Sequence, residues 1–206
     1  MKITKIEKQK KRKDRFNVYA NDEFVCGLSE DTIIDEALAI GQEIDQKEIE
    51  KLVEKDQSSK AFDKAIRFLG YRARTEKEVK DKLLVKEFDE KVIKKTIGKL
   101  KEMDYLSDIE FTQAWVKDRI NIKPEGKKLL QIELRQKGIE EKMAKEQLEK
   151  LVDDKTETTM AKKALNKALK QYNKLPSREK RQKITAYLAR RGFDWQTINM
   201  LLSKNQ

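Results

Sequence analysis

The chain has no histidine, one cysteine, two prolines and seven glycines among 206 residues, and aromatic side chains make up only 7% of it. Without histidine, the commonest general base and proton shuttle is missing. Cys26 stands alone, so it forms no internal disulfide, fits a reducing compartment and reads as a small buried apolar residue. There is no glycine-rich phosphate loop and no cluster of metal-ligand residues at a recognisable spacing. Carboxylates are abundant but sit mostly beside lysines on helix faces, where pairing four residues apart is the ordinary explanation. No catalytic residue, metal or cofactor is therefore expected. No apolar run approaches the roughly 20 residues that cross a bilayer. The basic N-terminus lacks the apolar stretch of a secretory signal. These absences predict a cytoplasmic binding protein that does not engage membranes.

What the chain does have is charge and repetition. Charged residues are 41% of it and hydrophobic ones 37%, so many small cores are expected in place of one large one. Few breakers and long Lys/Glu/Leu-rich stretches predict helix. A block of about fifty residues is written three times, anchored on Leu83, Leu134 and Leu188, which lie 51 and 54 residues apart. Four residues before each anchor stands an apolar side chain: Val79, Leu130 or Ile184. Three residues after it stands a cation: Lys86, Lys137 or Arg191. Five after it is Phe88, Ile139 or Phe193, and fourteen after it Ile97, Leu148 or Leu202.

Each copy divides into three helices. The first copy places Ala61, Ala65, Phe68 and Leu69 on one face, then a capping box of Thr75 and Glu78 ahead of Val79 and Leu83, then Asp89 as cap for Val92, Ile93, Ile97 and Leu100. The second gives Phe111, Ala114, Trp115 and Val116, then Leu130 and Leu134, then Met143 and Leu148. The third gives Ala161, Ala164, Leu165, Ala168 and Leu169, then Ile184 and Leu188, then Ile198 and Leu202. Gly138 and Gly192 stand where a left-handed residue closes the middle helix, a place held by Glu87 in the first copy. The helical spacing of Trp115 and Trp195 assigns both to the core.

The N-terminal segment differs. Phe16, Val18 and Ala20 alternate with polar neighbours, Asn21-Asp22 supplies a turn, and Phe24 to Leu28 is a second extended run, together a β-hairpin that residues 2–8 can join. Ser29 then caps a short helix through Ala39 that stops near Gly41, and Asp45 with Glu48 caps another over 46–56. The fold expected is mainly α: three tandem three-helix repeats in an elongated curved array, with a small N-terminal hairpin and helix extension. Its divisions are 1–56, 57–106, 107–156 and 157–206.

Charge is unevenly shared. Residues 1–56 carry 11 basic and 14 acidic side chains, 57–100 carry 13 and 7, 101–156 carry 12 and 13, and 157–206 carry 12 and 3. The first and third repeats are cationic and the middle one balanced, so different repeats are expected to face different surfaces. Lys86, Lys137 and Arg191 end a helix, where they either complement its dipole or meet a partner. Arg72 and Arg74 precede a helix start, where the dipole disfavours cations, and so point to an anionic partner. Lys127 and Lys128, with Arg190 beside Arg191, complete the candidate surface. Six cations among residues 8–15 crowd beside the hairpin, as either a solvated turn or a phosphate-contacting wing.

These residues carry a family likeness. Arg72-Ala73-Arg74-Thr75-Glu76-Lys77-Glu78-Val79, with Leu83, resembles the R-x-R-[ST]-x-x-E-[LV] segment of the bacterial RecX regulators. Tyr105-Leu106-Ser107-Asp108 with Phe111 resembles their second signature, and Arg119, Ile132-Glu133-Leu134 and Lys137-Gly138-Ile139 their third. Asp104 and Glu87 stand where that pattern has glycine, which puts the geometry of two turns in question. The resemblance implies a monomeric, non-catalytic protein. Its partner is the filament of the RecA recombinase on single-stranded DNA. It inhibits RecA's ATPase, strand-exchange and coprotease activities, and so modulates recombination, DNA repair and the SOS response. Direct contact with single-stranded DNA is also possible in such a protein. The competing reading is a stand-alone, sequence-nonspecific nucleic-acid-binding protein.

Overall fold

A computed structural model describes residues 1–203 as two compact units. The first comprises Met1–Arg72 with Val79–Tyr105, and the second Ala73–Glu78 with the chain from Leu106 onward.

In the first unit, β1 (Ile3–Lys8), β2 (Arg15–Ala20) and β3 (Glu23–Ser29) form an antiparallel sheet in that order. Asn21 and Asp22 join β2 to β3 with φ of 50° and 66°, the paired left-handed turn that matches strand twist. Alternation along the strands sends Ile3, Val18, Ala20, Cys26 and Leu28 to one face, where they pack with Ile44, Ile49 and Leu52. Burial pushes the Cys26 thiol up, with Asp56 adding to the effect, so the lone cysteine is a core residue.

Ser29 caps α1 (Glu30–Asp35) as expected, but the helix ends four residues early. Ala37 adopts a φ of 47°, its N–H donates to Ile34 O, and Leu38 N–H donates to Ile33 O. That closure turns Leu38 and Ile33 onto the sheet's core, and the apolar contact decides the helix end. The capping box of Asp45 and Glu48 opens α2 (Gln46–Leu69). This helix runs through the expected boundary at 56/57 without interruption, because no glycine or proline breaks it.

α3 (Glu76–Leu84) and α4 (Glu90–Glu102) follow, the latter capped by Asp89. Thr75 and Glu78 form their reciprocal cap, at 3.2 and 3.4 Å. Of the side chains expected in the core of the first repeat, Ala61, Ala65, Val79, Leu83, Val92, Ile93, Ile97 and Leu100 are buried, while Phe68 and Leu69 are half-buried.

The second unit holds α5 (Asp108–Asn121), α6 (Lys127–Gln136), α7 (Glu141–Leu151), α8 (Asp154–Gln171), α9 (Ser177–Arg190) and α10 (Trp195–Ser203). Its two repeats share one continuous core, from Phe111 and Val116 through Leu130, Leu134 and Met160 to Leu188 and Leu202. Separate small cores were expected; stacking of neighbouring repeats merges these two. Trp195 is 63% exposed, against expectation. It begins α10, and the buried stripe of that helix starts only at Ile198. Ala114 is also exposed, and Thr112 takes the inward place.

The repeated sequence block now has a physical cause. After each anchor leucine the chain closes the helix in the same way. Phe88 N–H donates to Leu83 O, Ile139 N–H to Leu134 O and Phe193 N–H to Leu188 O, at 3.0–3.3 Å. The intervening residue is left-handed: Glu87 at φ 60°, Gly138 at 89° and Gly192 at 79°. The apolar residue five after the anchor is thus the contact that locks a helix end. Asp104 closes α4 alike, at φ 56°. Both departures from glycine keep the turn geometry, at a cost of about 1 kcal/mol each.

Candidate functional site

Of the candidate cations, Arg72, Lys86, Lys128 and Arg190 are exposed, and Arg74 is half-buried just before the Thr75 cap. Lys86, Lys128 and Arg190 form no ion pair among the described residues.

The remaining three are held inside the second unit, at joints between repeats. Lys137 places Nζ 3.0 Å from Glu78 Oε1 and 4.8 Å from the centre of the Trp115 ring. Arg191 donates from Nη1 to Pro124 O at 3.2 Å and lies over the Tyr187 ring. Lys127 sits 3.6 Å from Glu157 and 3.8 Å from Asp154, the start of the next repeat. Helix-dipole complementarity and partner contact were the readings open to Lys137 and Arg191; the geometry gives both a packing role.

The joints share a design. Thr75 and Gly126 each stand eight residues before their anchor, at the start of a middle helix. Thr75 Oγ1 donates to Lys137 O at 2.7 Å, and Gly126 N–H donates to Arg191 O at 2.7 Å. Each middle-helix N-terminus therefore grips the carbonyl that closes the middle helix of the next repeat. The left-handed glycine is what lets them meet. A Cβ on Gly138 would run into the Lys77 side chain, and one on Gly192 into the backbone and Cβ of Leu129. The turn at Glu87 has no preceding repeat to grip it, is exposed, and accommodates a side chain. Asp108 adds a cross-cap, accepting from Glu76 N–H at 2.8 Å, while Ser107 caps its own helix.

The third sequence signature assembles around Trp115. Its Nε1 donates to Glu133 Oε2 at 3.1 Å, and Arg119 Nε donates to the same oxygen at 3.0 Å. The Arg119 guanidinium lies 4.1 Å over the Trp115 ring, and Phe111 stacks beside that ring. Glu125, buried, faces Arg119 at 3.2 Å and Lys123 at 2.6 Å. Two carboxylates and two cations thus compensate one another around an aromatic pair. Glu125 carries no sequence signal of this role, because it lies in the loop between α5 and α6 and only the fold brings it against Arg119 of α5.

Among the described residues, no group of His, Cys, Asp or Glu is placed to hold a metal, and no helix is long and apolar enough to cross a membrane.

Comparison with known proteins agrees with this layout segment by segment. Residues 1–45 match the Regulatory protein RecX N-terminal domain, 61–100 the first three-helix domain of RecX, 107–148 the second and 155–202 the third. The chain is 36% identical over 204 residues to the Regulatory protein RecX of Bacillus velezensis, covering 99% of this chain and 77% of that one. It is 35% identical over 209 residues to that of Clostridium tetani, covering 98% and 94%. A crystal structure of a regulatory protein RecX superposes with a TM-score of 0.77 at 30% identity, covering 98% of both chains. With all four segments matched in order and the fold shared end to end, the chain belongs to the RecX family of regulatory proteins.

Proposed function

We propose that this protein binds the filament of the RecA recombinase on single-stranded DNA and inhibits its ATPase, strand-exchange and coprotease activities. It acts as a monomer in the cytoplasm, by binding alone, and so modulates recombination, DNA repair and the SOS response. The observation that carries the reading is the full-length match to the family, N-terminal domain and three repeats in order.

The contact is assigned to Arg72, Arg74, Lys86, Lys128 and Arg190. Lys127, Lys137 and Arg191 hold the repeats that present them. Cations at a surface meet acidic protein surface or phosphate, and their contribution weakens as salt rises. Inhibition further requires that the filament state held by the protein bind it more tightly than the active one, since equal affinity for both shifts nothing.

Reversing Arg72 and Arg74 to glutamate is expected to raise the concentration giving half-inhibition of ATP hydrolysis by about tenfold, about 1.4 kcal/mol of binding. Because Arg74 is half-buried, Arg72→Glu alone serves as a second variant, with a smaller shift in the same direction. Unchanged inhibition by both variants, with unchanged circular dichroism, removes these arginines from the contact.

A further inference from the structure

The start of each earlier middle helix takes a carboxylate from the repeat that follows it. Seven residues before the anchor leucine, Glu76 N–H donates to Asp108 Oδ1 at 2.8 Å, and Lys127 N–H donates to Glu157 Oε1 at 3.3 Å. Both acids lie in the first turn of the next repeat's first helix. At the same place the third repeat has Arg181, with Arg178 and Lys180 just before it. None of these three forms an ion pair among the described residues. Relative to its anchor, α9 begins one turn earlier than α3 and α6. The backbone N–H of Arg181 is therefore inside the helix, and its side chain is what remains to meet an anion.

These cations border a pocket of about 520 Å³ in the second unit. Its apolar wall comes from three helices: Leu165 and Leu169 of α8, Ile184 of α9 and Leu202 of α10. Leu165, Ile184 and Leu202 belong to the shared core, whose edge is open here, and Leu169 is half-buried against it. Arg178 and Arg181 are exposed, and Lys180 is half-buried. Arg178 and Lys180 lie in the first turn of α9, where the helix dipole disfavours cations, so the stability of the helix does not account for them.

We infer that this pocket docks an acidic segment of a partner protein, which takes the place that a following repeat fills in the earlier copies. Its carboxylates meet Arg178, Lys180 and Arg181, and an aliphatic side chain beside them enters the pocket. Charge and apolar surface stand side by side here, and such a segment matches both. A chain of phosphates would use the cations but leave the aliphatic wall unmatched. No aromatic ring lines the pocket to stack a base. The inference goes beyond the filament contact proposed above and shares no residue with it.

The test is fluorescence anisotropy of a labelled peptide of repeated Glu-Leu-Asp units, titrated with the full chain in the absence of recombinase. The triple variant Arg178→Ala, Lys180→Ala, Arg181→Ala is expected to weaken binding by about tenfold. The charge-matched control Lys162→Ala, Lys163→Ala, Lys167→Ala on α8 should keep wild-type affinity. A peptide with serine in place of leucine keeps the charge and loses the anchor, and should compete about tenfold less well. The assignment is overturned if the wild type does not bind the leucine peptide, if both triples lose affinity equally, or if neither does. It is equally overturned if the serine peptide, polyglutamate or oligo-dT competes as well as the leucine peptide. Sedimentation separates the remaining occupant. A wild-type dimer that the pocket triple loses would give this face to a second copy and overturn the assignment, whereas a monomer in both supports it. Because no recombinase is present, failure here leaves the result of the Arg72 and Arg74 reversals untouched.

Discussion

Gly126→Ala is expected to lower stability by about 3 kcal/mol, although a single methyl group is added at a backbone conformation any residue accepts. The φ and ψ of Gly126 are −71° and 160°, so no intrinsic strain opposes alanine. What opposes it is the approach of the next repeat. The new Cβ would land on the carbonyl of Gly192 and on Phe193 N, backbone atoms that cannot swing aside. Relief requires parting α6 from the turn after α9, which breaks the Gly126-to-Arg191 hydrogen bond and opens the shared core. A drop in melting temperature of roughly 6–12 °C corresponds to that loss. The same substitution at Gly98 is expected to act in the opposite direction. Gly98 lies inside α4 with nothing within 4 Å of its Cβ position, so alanine gains about 0.5–1 kcal/mol of helix propensity. Scanning calorimetry of both variants decides the matter. If Gly126→Ala melts with wild type, the joint between the second and third repeats is not closed as described.

Asp56→Ala should be equally damaging, at about 3–5 kcal/mol, by a different route. Asp56 is 1% exposed in the middle of α2. Its carboxylate accepts from Ser29 N–H at 2.8 Å and from Thr32 Oγ1 at 3.4 Å, and pairs with Arg15 and Lys60. It therefore ties the last residue of β3, the first turn of α1 and the start of β2 to one helix. Alanine would strand the Arg15 guanidinium, whose side chain is largely buried, and leave the Ser29 N–H without its acceptor. Asn retains an acceptor but not the charge and should fall between. Glu54, two residues away, is the control. It pairs with Lys91 and Lys95, whose side chains are largely exposed, and its removal should leave the urea midpoint unmoved. Equal midpoints for Asp56→Ala and wild type would contradict this account of how the N-terminal sheet is attached.

Much of the architecture is legible in the chain because its rules are local. Caps at Ser29, Asp45, Thr75 and Asp89 act over two or three residues, and each is found as the sequence predicts. The spacing from anchor leucine to the apolar residue five later is readable because it records one helix-closing motif. What escapes reading is set by contacts between distant segments. Nothing around Lys137 or Arg191 tells that their heads are occupied by Glu78 and Pro124. Asp56 looks like any acid on a helix face, and the sequence alone divides α2 at the very residue that pins it to the sheet. Gly126 has no turn to betray it, since its constraint comes from the backbone of another repeat. Trp195 satisfies helical spacing but lies beyond the buried stripe of its helix. For the candidate surface, then, the residue types are readable, and which of them face outward is not.

The proposed function rests most directly on how little of the protein is needed to act. The decisive measurement follows ATP hydrolysis by RecA on single-stranded DNA as this protein is titrated in, with its affinity for naked DNA determined at the same salt. The account predicts inhibition well below one copy per recombinase protomer, at concentrations that leave most naked DNA unbound. Inhibition appearing only once the DNA itself is saturated would contradict it and make the protein a simple competitor for the strand.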